Sequence, residues 1–556
     1  MSAAARLRLA SWLVAGALGA LAAYASRQEM NPDGVAYLDL ADAWRRGDLA
    51  QAVSLYWSPL YSWLLAAALA LVGPSARGEF PLAHLLNFLL YLGALASLEY
   101  FLRCSAPRPA AGTGAGWPAA ARAAWAHALF LVGALGLVTI RLVTPDLIVL
   151  GVVLLAAGLL CRLADGAGPG AAVALGAVLG LGALAKAAML PVAVVTLALA
   201  AVAAGSARRA WPRAALALAA LALVVAPWIA AMSSVAGRPT LGDNARLNYL
   251  WLVSREYRAP FFSSPGARPA AWPLEHPPRR LLDAPATFEL AAPVGGTLPI
   301  WYDPVYWHRG APVRLDAAAE LRAVQKSVRA AARLGLGLLP FAVGLVVLFA
   351  VLGRRRDSAW LRREGVLLAF AATPLAGYLL IHVEPRYVAG PLVVLGVALL
   401  GLVRAPGGAE DRRLLGAVLA CVLALQVVPL AVDTVYHWAW LETRRPGAPG
   451  VRAEPWRAAE GLAALGVRPG DPVAAAGDYF QAGWARLARV RIVAVVDRGE
   501  PLDCLLDAPC RGRVVAALAP TGARALVVEG LPAQAAAAQG WVRLGASAHW
   551  AWRLRQ

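Results

Sequence analysis

Apolar residues in this chain gather in long, nearly uninterrupted blocks, and no other feature limits its fold as strongly. A helix needs about 20 predominantly apolar residues to cross the hydrocarbon core of a bilayer. Blocks at 9–26, 80–102, 117–140, 145–162, 213–234, 332–352, 360–382, 386–404 and 412–433 meet that need. A longer stretch, 169–204, is broken near Lys186 and Pro191 and has room for two shorter spans, which brings the expected total to about eleven. Of 556 residues, 60% are hydrophobic and 15% charged, which excludes both a soluble globule and a disordered chain. The expectation is a polytopic α-helical membrane protein.

The net charge of +19 would point to nucleic acid in a soluble protein. Here the arginines cluster in short loops between apolar blocks, where they orient a membrane protein, and no nucleic-acid partner is expected. Arg6 and Arg8 put the N-terminus on the cytoplasmic side. The segment 58–73, SPLYSWLLAAALALVG, then decides the rest. If it lies along the membrane surface, Arg103/Arg108, Arg162, Arg208/Arg209/Arg213, Arg354/Arg355/Arg356/Arg362/Arg363 and Arg404/Arg412/Arg413 all fall inside. If it crosses, all of them fall outside. The positive-inside rule therefore predicts a juxtamembrane helix at 58–73. Ala23-Tyr24-Ala25 resembles a signal-peptidase site, but ten further spans favour an uncleaved first helix.

This topology places three polar regions outside. Residues 27–79 form a first loop that includes the juxtamembrane helix, and 235–331 form a second loop rich in Trp, Pro and Arg. The membrane domain ends near 433. A linker, 434–450, closes with RRPGAPG, and 451–556 alternates helix-like segments (455–466, 479–488, LPAQAAAAQ) with strand-like ones (472–477, 490–496, 525–529). That alternation predicts a small C-terminal α/β domain. Cys504 and Cys510 lie close together in it, and an extracytoplasmic location would permit a disulfide. No CxxC or Cys/His metal spacing occurs.

Ionisable residues beside a membrane span are costly and usually functional. Asp33, in the turn Asn31-Pro32-Asp33-Gly34, is either a helix N-cap or a carboxylate available as a general base. Asp39 and Asp42 read as the solvated face of the same short helix. Asp146, after Thr144-Pro145, caps a span or faces the same outer surface as Asp33. Lys186, one of two lysines in the chain, either snorkels or offers an ammonium to a phosphate headgroup. Arg386, in IHVEPRYVAGP with His382, Glu384 and Tyr387, either pairs with Glu384 or forks a phosphate. Two carboxylates and two cations at the outer ends of different helices suit a lipid phosphate that enters sideways. They suit a transporter less well, since its charges belong near the midplane.

With these pieces in order, the sequence resembles the bacterial GT-C glycosyltransferases of the protein O-mannosyltransferase and aminoarabinose-transferase type. The matching elements are Asp33-Gly-Val-Ala-Tyr37, Trp57-Ser-Pro59-Leu60-Tyr61-Ser-Trp63-Leu64, Thr144-Pro145-Asp146, Leu184-Ala-Lys186 and Glu384-Pro385-Arg386-Tyr387. Together they cover roughly residues 1–433. The family's Asp-Glu pair is Asp33-Gly34 here, its Pro-Pro is Ser58-Pro59, and Ala187 follows Lys186. A divalent metal is thus left without a clear ligand set, and no cofactor is expected with certainty. The resemblance implies a sugar donor on a polyprenyl phosphate or diphosphate, and a glycan, lipid or protein acceptor. It implies Asp33 as base and Asp146 as the residue that orients the acceptor or the base, both catalytic. Lys186 and Arg386 would hold the lipid phosphate, with Tyr387 beside them, and Tyr37, Tyr61 and Trp57 would stack on the sugar. The loop 235–331 and the tail would select or cover the acceptor. The location implied is a bacterial inner membrane, with the active face and the C-terminal domain periplasmic. A lipid-linked sugar flippase and a catalytically inactive protein of the same fold are the alternatives.

Overall fold

The structure, a computed structural model, describes residues 3–106, 117–203, 207–257, 268–269, 274–290, 293–355, 358–443, 455–500 and 502–554. Linker residues 444–450, Arg108 and Arg356 lie outside them. The helices of four or five residues aside, the membrane part runs α1 (Ala3–Ala25), α2 (Pro32–Arg46), α3 (Pro59–Val72), α4 (Ala76–Cys104), α5 (Ala119–Leu131), α6 (Asp146–Ala164), α7 (Pro169–Ala185), α8 (Met189–Ala203), α9 (Ala207–Ala236), α10 (Ala317–Gly337), α11 (Leu339–Leu352), α12 (Ser358–Ile381), α13 (Pro385–Leu402), α14 (Ala409–Val422) and α15 (Val428–Thr443).

Among the described residues, eight helices are long and apolar enough to span, or nine if α10 and α11, bent by 71°, count as one. The expected eleven is not reached on this measure. The reason is local: at Lys186 the backbone turns extended (φ −153°, ψ 123°), which divides 169–204 into helices of 17 and 15 residues. Each is shorter than a full span at 1.5 Å per residue. The 14 residues of α3 rise about 21 Å, also short of the core thickness. The basic loops gather at one end of the bundle. There Arg363 donates to the carbonyl of Cys104 at 2.8 Å and pairs with Asp165 at 3.6 Å, and Arg354 bridges to Val403. The loops that carry Asp33 and Trp301 lie at the other end.

The tail adds α16 (Pro455–Ala464) and α17 (Gly483–Leu487) to a seven-stranded sheet. Its strands are β1 (Arg279–Leu282), β2 (Thr287–Glu289), β3 (Pro472–Ala476), β4 (Arg491–Val496), β5 (Ala525–Glu529), β6 (Val542–Arg543) and β7 (His549–Arg553), in spatial order β1-β2-β4-β3-β5-β7-β6. The central β4-β3-β5 strands are parallel and buried, and so read as unbroken apolar runs. The hairpin β1–β2 belongs to the second loop, yet β2 pairs antiparallel with β4 (Phe288 opposite Val495) and covers what would be a bare sheet edge. Loop and tail thus share one sheet. Cys504 and Cys510 are disulfide-bonded.

A single apolar core joins these parts. Tyr37 and Leu38 of α2, Tyr61 of α3, Phe80 of α4, Phe288 and Ile300 of the loop, and Val473, Tyr479 and Ala485 of the tail all belong to it. Its polar seam corrects one expectation. Asp39 is buried and Asp42 half-buried, because Arg486 of α17 reaches between them at 2.8 and 2.7 Å. The same guanidinium also binds the buried Glu79 of α4. The Asp39 carboxylate accepts two further hydrogen bonds from Thr297, at 2.7 and 2.8 Å. Asp39 and Asp42 are thus ion-paired residues lining a polar pocket with Arg486 and Arg489, not a bare solvated face.

Candidate active site

The start of α2 is fixed by the loop that precedes α6. The side-chain oxygen of Asn31 accepts from the Val143 amide at 2.8 Å, and Pro32 follows in the first turn, where its missing N–H costs nothing. From α4, Asn87 donates to the carbonyls of Ile140 and Leu142 (3.1 and 2.9 Å) and accepts from the Tyr61 hydroxyl at 2.7 Å. A ring nitrogen of His84 lies 2.8 Å from the Glu29 carbonyl. The two carboxylate-bearing helix starts are therefore tied to the same buried scaffold.

Asp33 caps nothing in this arrangement. One oxygen accepts from the indole N–H of Trp301 at 3.3 Å, and the other lies 3.4 Å from Nη1 of Arg386. Asp146 opens α6 and is buried. It accepts from the Thr144 hydroxyl at 2.9 Å and the Lys186 ammonium at 2.6 Å, with Arg386 at 3.6 Å. The break at Lys186 is what delivers its side chain here, between α7 and α8. Lys186 Nζ also sits 3.7 Å above the Tyr387 ring, which stacks on Tyr378. Arg386, in the first turn of α13, bonds Glu384 through Nε at 2.7 Å. The pairing of this arginine with Glu384 is present, while Nη1 faces Asp33 and Asp146 and Nη2 donates to the Tyr387 hydroxyl at 3.4 Å.

The sequence candidates Asp33, Asp146, Lys186, Arg386 and Tyr387 thus converge on one spot. Tyr37 and Tyr61 stand behind it. Both are buried, their rings meet edge to face at 5.1 Å, and the Tyr61 hydroxyl is taken by Asn87. They form the wall rather than an open stacking surface. Trp301 is the residue that sequence reasoning missed. It sits in an aromatic nest with Tyr56, Trp57, Trp251 and Phe480, and the Trp content of 235–331 was the one available signal.

Burial raises the Asp33 carboxyl above its ordinary range, Arg386 pulls it partly back, and Asp146 raises it further. Burial would also raise Glu384, but hydrogen bonds from His382 and Arg386 outweigh it and hold that group down at about 2. Two carboxyls beside Arg386 are thereby shifted in opposite directions, Glu384 down and Asp33 up. For a metal the donors fit poorly. Among the described residues no three His, Cys, Asp or Glu side chains form a ligand set, and Asp33 and Asp146 already face protein cations. Position 34 has no room for the family's second carboxylate, since a Cβ there would lie 2.8 Å from Cβ of Val143 and against the Met30 sulfur. Beside Lys186 runs an apolar crevice lined by Trp57, Ala183, Ala187, Leu190, Trp228 and Met232.

A helical membrane bundle with loops at one end and a small α/β tail seated on them is the architecture expected from the sequence. Sequence comparison finds no matching family model and no matching curated protein. Among solved structures, the chain is similar to ArnT from Cupriavidus metallidurans in the apo state, with a TM-score of 0.53 and 13% identity over 98% of each chain. It is likewise similar to ArnT from Cupriavidus metallidurans bound to undecaprenyl phosphate, with a TM-score of 0.55, 14% identity, and 99% of this chain and 98% of that one covered. At this identity the likeness is one of fold.

Proposed function

We propose that this multi-pass membrane protein is a glycosyltransferase that moves a sugar from a polyprenyl-phosphate donor to an acceptor hydroxyl, at the extracytoplasmic face of a bacterial inner membrane. The observation that carries the reading is the charge cluster itself. Asp33, Asp146, Lys186 and Arg386 come from four different helix ends and meet at one spot, and Ala183 and Ala187 on either side of Lys186 line an apolar crevice. The ArnT structure with undecaprenyl phosphate supports a lipid-phosphate ligand for this fold.

In this reading the prenyl chain lies along the crevice, and Lys186 and Arg386 face the phosphate. The acceptor hydroxyl gives its proton to Asp33 as its oxygen forms a bond to the anomeric carbon. The bond from that carbon to the phosphate oxygen breaks, and the electron pair leaves with the polyprenyl phosphate. A single displacement of this kind inverts the anomeric configuration. Fixed cations stabilise the charge that develops on the leaving oxygen. Asp146 keeps Lys186 and Arg386 in place while they wait for it. Burial that raises Asp33 suits it to accept a proton.

The test uses the full-length protein in nanodiscs with undecaprenyl-phosphate-linked glucose, mannose or aminoarabinose, each offered with a hydroxyl-bearing peptide or glycolipid. Release of undecaprenyl phosphate is the readout. Asp33→Asn should abolish release from whichever donor turns over, with insertion and expression intact. Full release by that variant would remove Asp33 as the base.

A further inference from the structure

One short tail segment reaches α2, the helix that carries Asp33, directly through Arg486 and Arg489 and indirectly through Trp301. At one end of the segment Phe480, buried in the tail, meets the Trp301 ring edge to face at 5.6 Å. Trp301 Nε1 in turn donates to Asp33. At the other end Arg486 grips Asp39 and Asp42, one and two turns or more beyond Asp33 on the same helix. The backbone of Trp301 is pinned independently, because Trp57 Nε1 donates to the carbonyls of Trp301 and Tyr302 at 3.2 and 3.1 Å. The indole ring is oriented by the rings packed around it. Its direction decides whether the N–H points at Asp33, and Phe480 occupies one side of that ring while Trp57, Trp251 and Tyr56 occupy others.

We propose that Phe480 is a positioning residue for the reaction: it holds the Trp301 indole against Asp33, so that the C-terminal domain completes the site instead of only covering it. This rests on the glycosyltransferase reading with Asp33 as base. The Arg486 clamp serves the same end by fixing the segment that carries Phe480 to the helix that carries Asp33.

The consequence is specific. A hydrogen bond donated to a carboxylate favours its charged form, so its loss raises the pH at which Asp33 becomes a competent base. Phe480→Ala should lower kcat about tenfold, the scale of one hydrogen bond to a charged group. The acid limb of kcat against pH should move to higher pH. Binding of undecaprenyl phosphate alone, which depends on Lys186 and Arg386, should stay within about twofold, and Phe480→Leu should recover most of kcat. Trp301→Phe keeps the ring and removes the donor, so it should reproduce the pH shift without disturbing the tail. The double variant should then be no worse than Trp301→Phe alone, because both changes break one path.

The experiment uses the same nanodiscs and donors, with Asp33→Asn alongside. An unmoved acid limb in Phe480→Ala and Trp301→Phe, or strictly additive losses in the double variant, overturns the proposal while Asp33→Asn still abolishes turnover. Turnover that survives in Asp33→Asn overturns the underlying reading instead.

Discussion

Arg386 and Arg486 are each set among three carboxylates, yet they occupy opposite physical regimes. Arg386 approaches Asp33 and Asp146 at 3.4 and 3.6 Å, and its side chain is 19% exposed. Arg486 bonds Asp39 and Asp42 at 2.8 and 2.7 Å, adds Glu79, and is 4% exposed. The first arrangement ties Nε to Glu384 at 2.7 Å but leaves Nη1 in longer contacts at a more exposed edge. The second is closely paired throughout, although it borders an open polar pocket lined by Asp39, Asp42, Arg486 and Arg489. Composition does not separate the two clusters; the lengths of the terminal-nitrogen contacts and the exposure do.

The largest effect is expected where the charges are closely paired. Arg486→Met leaves the buried Asp39 without a cation and Glu79 and Asp42 with only the more exposed Arg489, at 3.4 and 3.3 Å, and breaking a buried pair costs about 3–5 kcal/mol. Thermal unfolding or limited proteolysis of the tail should report it. Neutralising the partners in Arg486→Met/Asp39→Asn/Glu79→Gln should recover most of the loss, since a neutral set avoids stranded charge. If Arg486→Met unfolds like the parent protein, the clamp is not what seats the tail.

The open arginine should behave the other way. Arg386→Gln should leave unfolding nearly unchanged but lower kcat about 10²–10³-fold, as removal of one preorganised group at a developing charge does elsewhere. It should also move the acid limb. Asp33 must be deprotonated to act, and activity therefore falls as pH drops through its raised pKa. Arg386 is the chief group lowering that pKa, so without it the limb moves to higher pH. An unchanged limb would separate Arg386 from Asp33 electrostatically.

The same contrast explains what the sequence could reveal. Asp33, Asp146, Lys186 and Arg386 each interrupt or border an apolar block, so their cost made them visible before any contact was known. The break at Lys186 was visible for the same reason, and the strands β3, β4 and β5 showed as unbroken apolar runs. Arg486 and Asp39 lie in stretches with ordinary polar content, Glu79 borders the block at 80–102 without a visible partner, and only the fold brings them together across about 400 residues. The β1–β2 hairpin is equally silent, because β2 is three residues long and its partner strand lies in the tail. Trp301 belonged to a Trp-rich loop expected to select or cover the acceptor, and nothing in its sequence singled out the one indole that lies on Asp33.

The smallest expected effect concerns Gly34, which separates this site from the acidic pair of the family it resembles. Gly34→Ala would push a methyl against the Met30 sulfur and within 2.8 Å of Cβ of Val143. Met is flexible and can swing aside, whereas Val is held in few rotamers and sits in the segment whose amide anchors Asn31. Overpacking of this kind costs about 1–3 kcal/mol. The strain should displace the start of α2 and with it Asp33, so kcat should fall more than binding of undecaprenyl phosphate. Val143→Ala should rescue Gly34→Ala, measured as a favourable coupling in a double-mutant cycle of unfolding and turnover. Additive losses would mean that Gly34 is tolerated for reasons other than the space Val143 fills.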